Sequence, residues 1–166
     1  MSETERLATA VLDAAAAHGI MIATAESCTG GMIAAALTDI AGSSAVVDRG
    51  FVTYSNEAKQ EMLGVDPNLI DAHGAVSAEV AEAMAQGALA RSQAALSVAV
   101  TGIAGPGGAT QAKPVGLVYL GLADRDGSKL EGVVFPDEGR AAIRRATVDK
   151  ALSMILERLA NLTKTA

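Results

Sequence analysis

Residues 20–40, Ile-Met-Ile-Ala-Thr-Ala-Glu-Ser-Cys-Thr-Gly-Gly-Met-Ile-Ala-Ala-Ala-Leu-Thr-Asp-Ile, change their hydrophobic period at the centre. A short apolar run, Ile20 to Ala23, opens the stretch, and Met32, Ile33, Ala36, Leu37 and Ile40 follow at helical spacing. The stretch therefore reads as a strand over 20–25, a tight turn and a helix. Thr24 to Gly31 packs a carboxylate, hydroxyls, a thiol and two glycines around that turn. Free amide N–H groups at a helix start attract anions and stabilise oxyanions, so a serine placed there is well sited to react. The competing reading is that Ser27 or Thr29 only caps the helix, a position both residue types favour.

Outward from this stretch, strands and helices alternate. Ser2 and Glu5 suit a capping box, followed by Leu7, Val11 and Ala14 on one helical face, with Gly19 as the stop. Past the break at Ala41–Ser44, Val46 to Tyr54 reads as a strand, with Gly50 as a bulge or close contact. Asn56 to Leu63 reads as a short helix ended by Gly64. Asp66-Pro67 starts another, closed by Gly74. Ser77 opens a helix to about Ser92, and Ala95 to Val100 is a buried strand by its apolar continuity. That strand runs into a glycine-rich loop, Thr101 to Gly108. Val115–Ala123 and Lys129–Phe135 read as strands joined by a hairpin at Asp124–Gly127. A last helix spans about Glu138 to Leu162. The pattern predicts one domain over 1–166, a three-layer α/β/α sandwich with a mixed, mostly parallel sheet. Ligands in such sheets collect at the carboxyl ends of the strands, where three polar turns fall: Glu26–Gly31, Tyr54–Lys59 and Thr101–Gly108.

Composition narrows the function. Half of the 166 residues are hydrophobic but only 2% are aromatic, so the core is built from Ala, Val, Leu, Ile and Met. A net charge of −6 argues against general nucleic-acid binding. No apolar run is long enough to span a membrane, the charged start is unlike a signal peptide, and a single cysteine fits a reducing cytoplasm. One Cys and two distant His supply no standard metal site. The glycine loop lacks the Lys-Ser/Thr ending of a P-loop and the spacing of a dinucleotide fingerprint. His18 and His73 both sit at helix ends and read as surface groups. Lys59 is then the candidate base, one helical turn after Ser55; it works only if burial or nearby cations lower its pKa. A solvated surface lysine is the competing reading.

Five blocks now coincide: Thr24-Ala-Glu-Ser-Cys-Thr-Gly-Gly31, Gly50-Phe-Val-Thr-Tyr-Ser55 with Lys59, Gly74-Ala-Val-Ser77, Thr101-Gly-Ile-Ala-Gly-Pro-Gly-Gly108 and Lys113-Pro-Val-Gly116. In this order the chain resembles the CinA C-terminal domain family. The resemblance implies an α/β/α sandwich with a mixed sheet. It implies a nicotinamide-nucleotide amidohydrolase, which turns nicotinamide mononucleotide into nicotinate mononucleotide and ammonia in pyridine-nucleotide salvage, without cofactor. Larger relatives carry a further N-terminal domain; this chain resembles the stand-alone amidase. On the matching positions, Ser27 is the implied nucleophile, Lys59 its activator and Tyr54 a neighbour able to relay the proton.

Substrate contacts are expected from Glu26, Thr29, Gly30, Gly31, Thr101, Gly102, Gly105, Gly107, Arg140 and Arg144. Arg140 and Arg144, four apart on one helix face, could grip a phosphate; surface pairing with Asp137 or Glu138 competes. The expected partners are a small-molecule nucleotide and further copies of the chain, a homo-oligomer, with neither nucleic acid nor membrane. Two rival functions stay open: a Cys28-dependent hydrolase with His73 as base, since a thiol is the better nucleophile, and a nucleotide-binding regulatory module without turnover.

Overall fold

A computed structural model describes residues 1–162. Five strands form one sheet in the order β2-β1-β3-β4-β5. They are β1 (Ile22–Glu26), β2 (Val47–Val52), β3 (Leu96–Gly102), β4 (Leu117–Asp124) and β5 (Gly127–Val134). β2, β1 and β3 run parallel, whereas β3, β4 and β5 pair antiparallel. The helices are α1 (Glu3–His18), α2 (Met32–Thr38), α3 (Asn56–Leu63), α4 (Pro67–His73), α5 (Ala78–Ala90) and α6 (Arg140–Ala160). The expected sandwich is present, with its mixed sheet. Among the described residues no helix is long and apolar enough to cross a membrane.

The two faces of the sheet are covered differently. On one, Ile22, Val98, Val100, Val118, Leu120 and Leu122 pack with α1, α2 and α6 through residues such as Val11, Ile33, Leu152 and Ile155. On the other, Ala25, Ala99 and Ala123 present small side chains to α3, α4 and α5, where Leu63, Ile70, Val80 and Met84 fill the core. Small residues on the strands let α5 lie close to the sheet, so a core almost without aromatics still packs densely.

Local chemistry sets the element ends. Ser2 and Glu5 form the expected capping box, and Gly19 ends α1 in a left-handed conformation. Strand ends differ from the sequence expectation where the ladder stops. Thr53 and Tyr54 lie beyond β2, although the Thr53 N–H still donates to the Glu26 carbonyl at 2.9 Å. The register of β2 jumps between Val47 and Arg49, which puts the bulge at Asp48 rather than Gly50. Gly50 is the close contact instead: a Cβ there would lie 2.6 Å from Thr24 Oγ1.

Glu26 shows why the first turn folds as it does. Its buried carboxylate accepts from Thr29 Oγ1 at 2.6 Å and from the N–H groups of Ile33 and Ala34 at 2.8 and 3.1 Å. Gly31, the residue before α2, has no side chain to cap the helix, so a carboxylate from the preceding strand does it. Glu26→Ala should therefore cost about 2–3 kcal/mol in urea denaturation, the scale of losing hydrogen bonds to a buried charged acceptor. A change under about 0.5 kcal/mol, typical of a neutral surface site, would remove it from the frame.

Candidate active site

β1 lies between its two parallel neighbours, so the chain leaves it toward β2 on one side and has β3 on the other. That is where the connections of an open α/β sheet diverge and leave a crevice. Ser27 follows β1 directly. Its N–H extends the ladder to the Val100 carbonyl at 3.1 Å, and its carbonyl accepts from Gly30 N–H at 3.0 Å. The serine backbone is held by the sheet on one side and by the turn on the other.

α3 brings the base. Ser55 caps this helix by accepting from Ala58 N–H, and Lys59 follows one turn later. The Lys59 side chain runs inward and is 1% exposed. Its Nζ lies 3.0 Å from Ser27 Oγ, 3.2 Å from the Thr53 carbonyl and 3.4 Å from the Tyr54 carbonyl. The surface-lysine reading is excluded. Burial pushes the Lys59 pKa down, opposed in part by the negative charges that Cys28 and Glu57 can carry.

The three neighbours of Nζ are chemically unequal. The two carbonyls can only accept, whereas the hydroxyl can also donate. A neutral amine has two N–H bonds for the carbonyls and one lone pair, which then faces the serine hydroxyl. Once protonated, the same nitrogen donates in all three directions. The geometry therefore suits an amine that takes a proton from Ser27 and later returns it.

A cavity of about 200 Å³ opens on this pair, lined by Ser27, Cys28, Tyr54, Asn56, Lys59, Ala75, Val76, Thr101, Gly102, Ala104 and Arg140. A larger cavity, about 580 Å³, lies at the other end of the strands beside His18, Leu96 and Asp124, and has no paired nucleophile and base. At the smaller site the Thr101 hydroxyl, buried at the end of β3, donates to the Ala75 carbonyl at 2.8 Å. Arg140, the first residue of α6, donates through Nη1 to the Gly105 carbonyl at 2.8 Å and through Nη2 to the Tyr54 hydroxyl at 2.9 Å. Three polar turns from distant parts of the sequence thus meet at one place. Among the described residues, no three His, Cys, Asp or Glu side chains converge as metal ligands would.

Comparison with known proteins places this geometry. The CinA C-terminal domain family matches residues 4–159. The chain belongs to that family. A CinA-like protein of Mycolicibacterium gilvum is 54% identical over 142 residues, which cover 86% of this chain and 34% of the relative. A CinA-like protein of Geobacter sulfurreducens is 53% identical over 141 residues, covering 85% and 34%. The chain thus spans about a third of the length of these curated relatives. The crystal structure of a competence/damage-inducible protein from Agrobacterium tumefaciens superposes with a TM-score of 0.93 at 53% identity, covering 97% of this chain and 98% of that one. A competence damage-inducible protein A from Klebsiella pneumoniae gives 0.93 at 36% identity, covering 96% and 99%.

Within this CinA domain the expected site residues divide. Ser27, Lys59, Tyr54, Thr101, Gly102 and Arg140 line the pocket; Glu26, Thr29, Gly30, Gly31, Gly105, Gly107 and Arg144 do not. The Glu26 carboxylate and the Thr29 hydroxyl bond to each other and to α2. Gly105 takes part through its carbonyl, bonded to Arg140. Arg144 turns to the backbone, donating to the Cys28 and Thr29 carbonyls. Neither arginine pairs with Asp137 or Glu138 among the described ion pairs. The first N–H groups of α2 are taken by Glu26 and the Thr29 carbonyl, so the oxyanion donors expected from this helix start are not free there. In the preceding turn, the Thr29 N–H has no backbone partner among the described residues, and the Cys28 N–H meets only its own thiol.

Tyr54 also departs from expectation. It is 61% exposed and its phenol meets Arg140, not Ser27 or Lys59; its carbonyl is the atom that touches the lysine. Among the described residues no hydrogen bond links the phenol to Ser27 or Lys59, so a relay through it has no direct contact to follow. Tyr54→Phe should keep kcat within about an order of magnitude of wild type, whereas a lost acid–base group costs about 100-fold or more. Steady-state kinetics with the candidate substrate would read the difference.

The Cys28 rival loses its chemistry here. The thiol is buried and its pKa is pushed up to about 11, chiefly by desolvation. His73 faces Glu79, 3.7 Å away, and does not line the pocket. Asn56, Ala75, Val76 and Ala104 line the pocket without having been singled out as contacts. Each falls within or beside one of the matched sequence blocks, so their place in the wall was signalled, though not their chemistry.

Proposed function

We propose that this CinA domain is an amidohydrolase that converts nicotinamide mononucleotide and water to nicotinate mononucleotide and ammonia, in pyridine-nucleotide salvage. The observation that carries the reading is the 3.0 Å contact between Lys59 Nζ and Ser27 Oγ inside a pocket. Pure binding has no need of a buried amine aimed at a serine hydroxyl.

The sequence of steps follows from the contacts. Neutral Lys59 takes the proton as Ser27 Oγ attacks the carboxamide carbon. The tetrahedral oxyanion falls to backbone donors of the serine turn. The intermediate collapses, the Lys59 ammonium gives its proton to the departing nitrogen, and ammonia leaves an acyl ester on Ser27. Lys59 then takes a proton from water, the hydroxide oxygen attacks the ester, and the serine oxygen recovers its proton as the carboxylate departs.

The pocket's size supports a fragment of a nucleotide inside it. At about 200 Å³ it is below the roughly 300–1,000 Å³ of sites that enclose drug-sized ligands. The ring carboxamide enters, while ribose and phosphate stay at the mouth, where Arg140 offers a guanidinium. Thr101 already spends its proton on Ala75 and presents lone pairs, which suit an amide N–H and disfavour the product carboxylate.

The test is incubation of the purified protein with nicotinamide mononucleotide and an assay for ammonia and the nucleotide acid. Stoichiometric release supports the reading. No release across a broad pH range, with nucleotide binding retained, would favour the regulatory module.

A further inference from the structure

Arg140 and Arg144 lie one turn apart on α6, yet their guanidinium groups serve different places. Arg140 lines the pocket, whereas Arg144 reaches the backbone just after the nucleophile. Its Nε donates to the Cys28 carbonyl at 3.0 Å and its Nη2 to the Thr29 carbonyl at 3.2 Å. One planar fork thus holds two consecutive carbonyls, which the point charge of a lysine would not reproduce. Gly30 completes the seat. It has φ +59°, and a Cβ there would lie 3.3 Å from Arg144 Nη2. Among the described residues no carboxylate lies within ion-pair distance of Arg144, so its charge faces the turn without a counter-ion.

Cys28 sits between the nucleophile and this clamp. The peptide carrying its N–H has its carbonyl, that of Ser27, held by Gly30 N–H at 3.0 Å. The next peptide, carrying the Thr29 N–H, has its carbonyl held by Arg144 Nε. In a trans peptide the N–H points opposite the C=O, so holding both carbonyls sets the direction of both N–H groups. Neither donates to a backbone carbonyl among the described residues; the Cys28 N–H meets only its own thiol, and Cys28 lines the pocket. The N–H following a serine nucleophile is a recurrent oxyanion donor in acyl transfer.

We propose that Arg144 is a positioning residue of the serine centre: it grips the Cys28 and Thr29 carbonyls and so fixes the turn whose N–H groups receive the oxyanion. The proposal rests on the amidohydrolase reading for the reaction and on the clamp for the residue. Arg144 then acts on the charge that develops in the transition state, while a substrate phosphate at the pocket mouth meets Arg140.

Arg144→Ala and Arg144→Lys, each with and without added methylguanidine, separate the possibilities through two readouts. One is kcat and KM with nicotinamide mononucleotide. The other is the rate of covalent Ser27 labelling by a fluorophosphonate, which needs nucleophile and oxyanion donors but neither an amide nor a nucleotide. In Arg144→Ala, kcat and the labelling rate should fall together by about 100-fold, with KM little changed. Methylguanidine should restore part of both, and the lysine variant should stay low. Labelling at the wild-type rate, or a raised KM with kcat intact, overturns the proposal. If the wild type is labelled but releases no ammonia, the amidohydrolase reading fails and the labelling rates alone decide Arg144. A wild type that resists labelling overturns both. Should Arg144→Ala not fold by circular dichroism, a folded Arg144→Lys that labels at the wild-type rate is sufficient to reject the clamp.

Discussion

Ser27→Ala should reduce release of ammonia from nicotinamide mononucleotide by at least about ten-thousand-fold, the scale on which removing an activated serine nucleophile acts. Among the described residues no other group in the pocket is placed to replace it. Cys28 is the next residue, but its thiol is held neutral by burial, its pKa pushed up to about 11, and the lysine amine is directed at the serine oxygen. Thr101 has its proton committed to the Ala75 carbonyl. Cys28→Ala should accordingly keep turnover within about an order of magnitude of wild type, since a buried thiol without thiolate character is inert. Turnover kept in Ser27→Ala and lost in Cys28→Ala would reverse the assignment. Mass spectrometry of wild-type protein quenched during turnover offers a second check, with the acyl group expected on the peptide containing Ser27.

Much of the framework was legible because its signals are local. The capping box at Ser2 and Glu5, the stop at Gly19, the helix from Asn56 to Leu63 and the period change after Gly31 each depend on a few neighbouring residues. The convergence of the three polar turns was also readable, since parallel strands deliver their following loops to one edge of the sheet. What could not be read was where each polar side chain spends its hydrogen bonds. Glu26 was expected among the substrate contacts, but a helix with glycine at its cap position claims the carboxylate first. Tyr54 has its carbonyl and its phenol on different partners, and sequence does not distinguish the two. Arg140 and Arg144 share spacing, residue type and helix, and differ only in which carbonyls lie within reach. The pair that sequence proposed and structure assembled, Ser27 and Lys59, stands 32 residues apart.

That pair makes the second large effect a pH effect. Lys59→Met should lower kcat by about a thousandfold, within the range lost with a general acid–base group, and Lys59→Arg should do no better because a guanidinium does not deprotonate in proteins. In the wild type, kcat/KM should rise with pH through a group titrating below the ordinary lysine value of 10.5, since burial lowers the Lys59 pKa. Stability should move in the same direction. Between the lowered folded pKa and 10.5 the unfolded chain holds a proton that the folded chain lacks, so raising the pH favours the fold across that window. As pH falls through the folded pKa, an ammonium must be kept in a buried site and this contribution is lost. Lys59→Met should therefore flatten the pH dependence of urea denaturation over the window in which the wild type gains stability. A rate profile unchanged by Lys59→Met, or a wild type whose activity falls as this amine loses its proton, would mean that the amine does not act as the base.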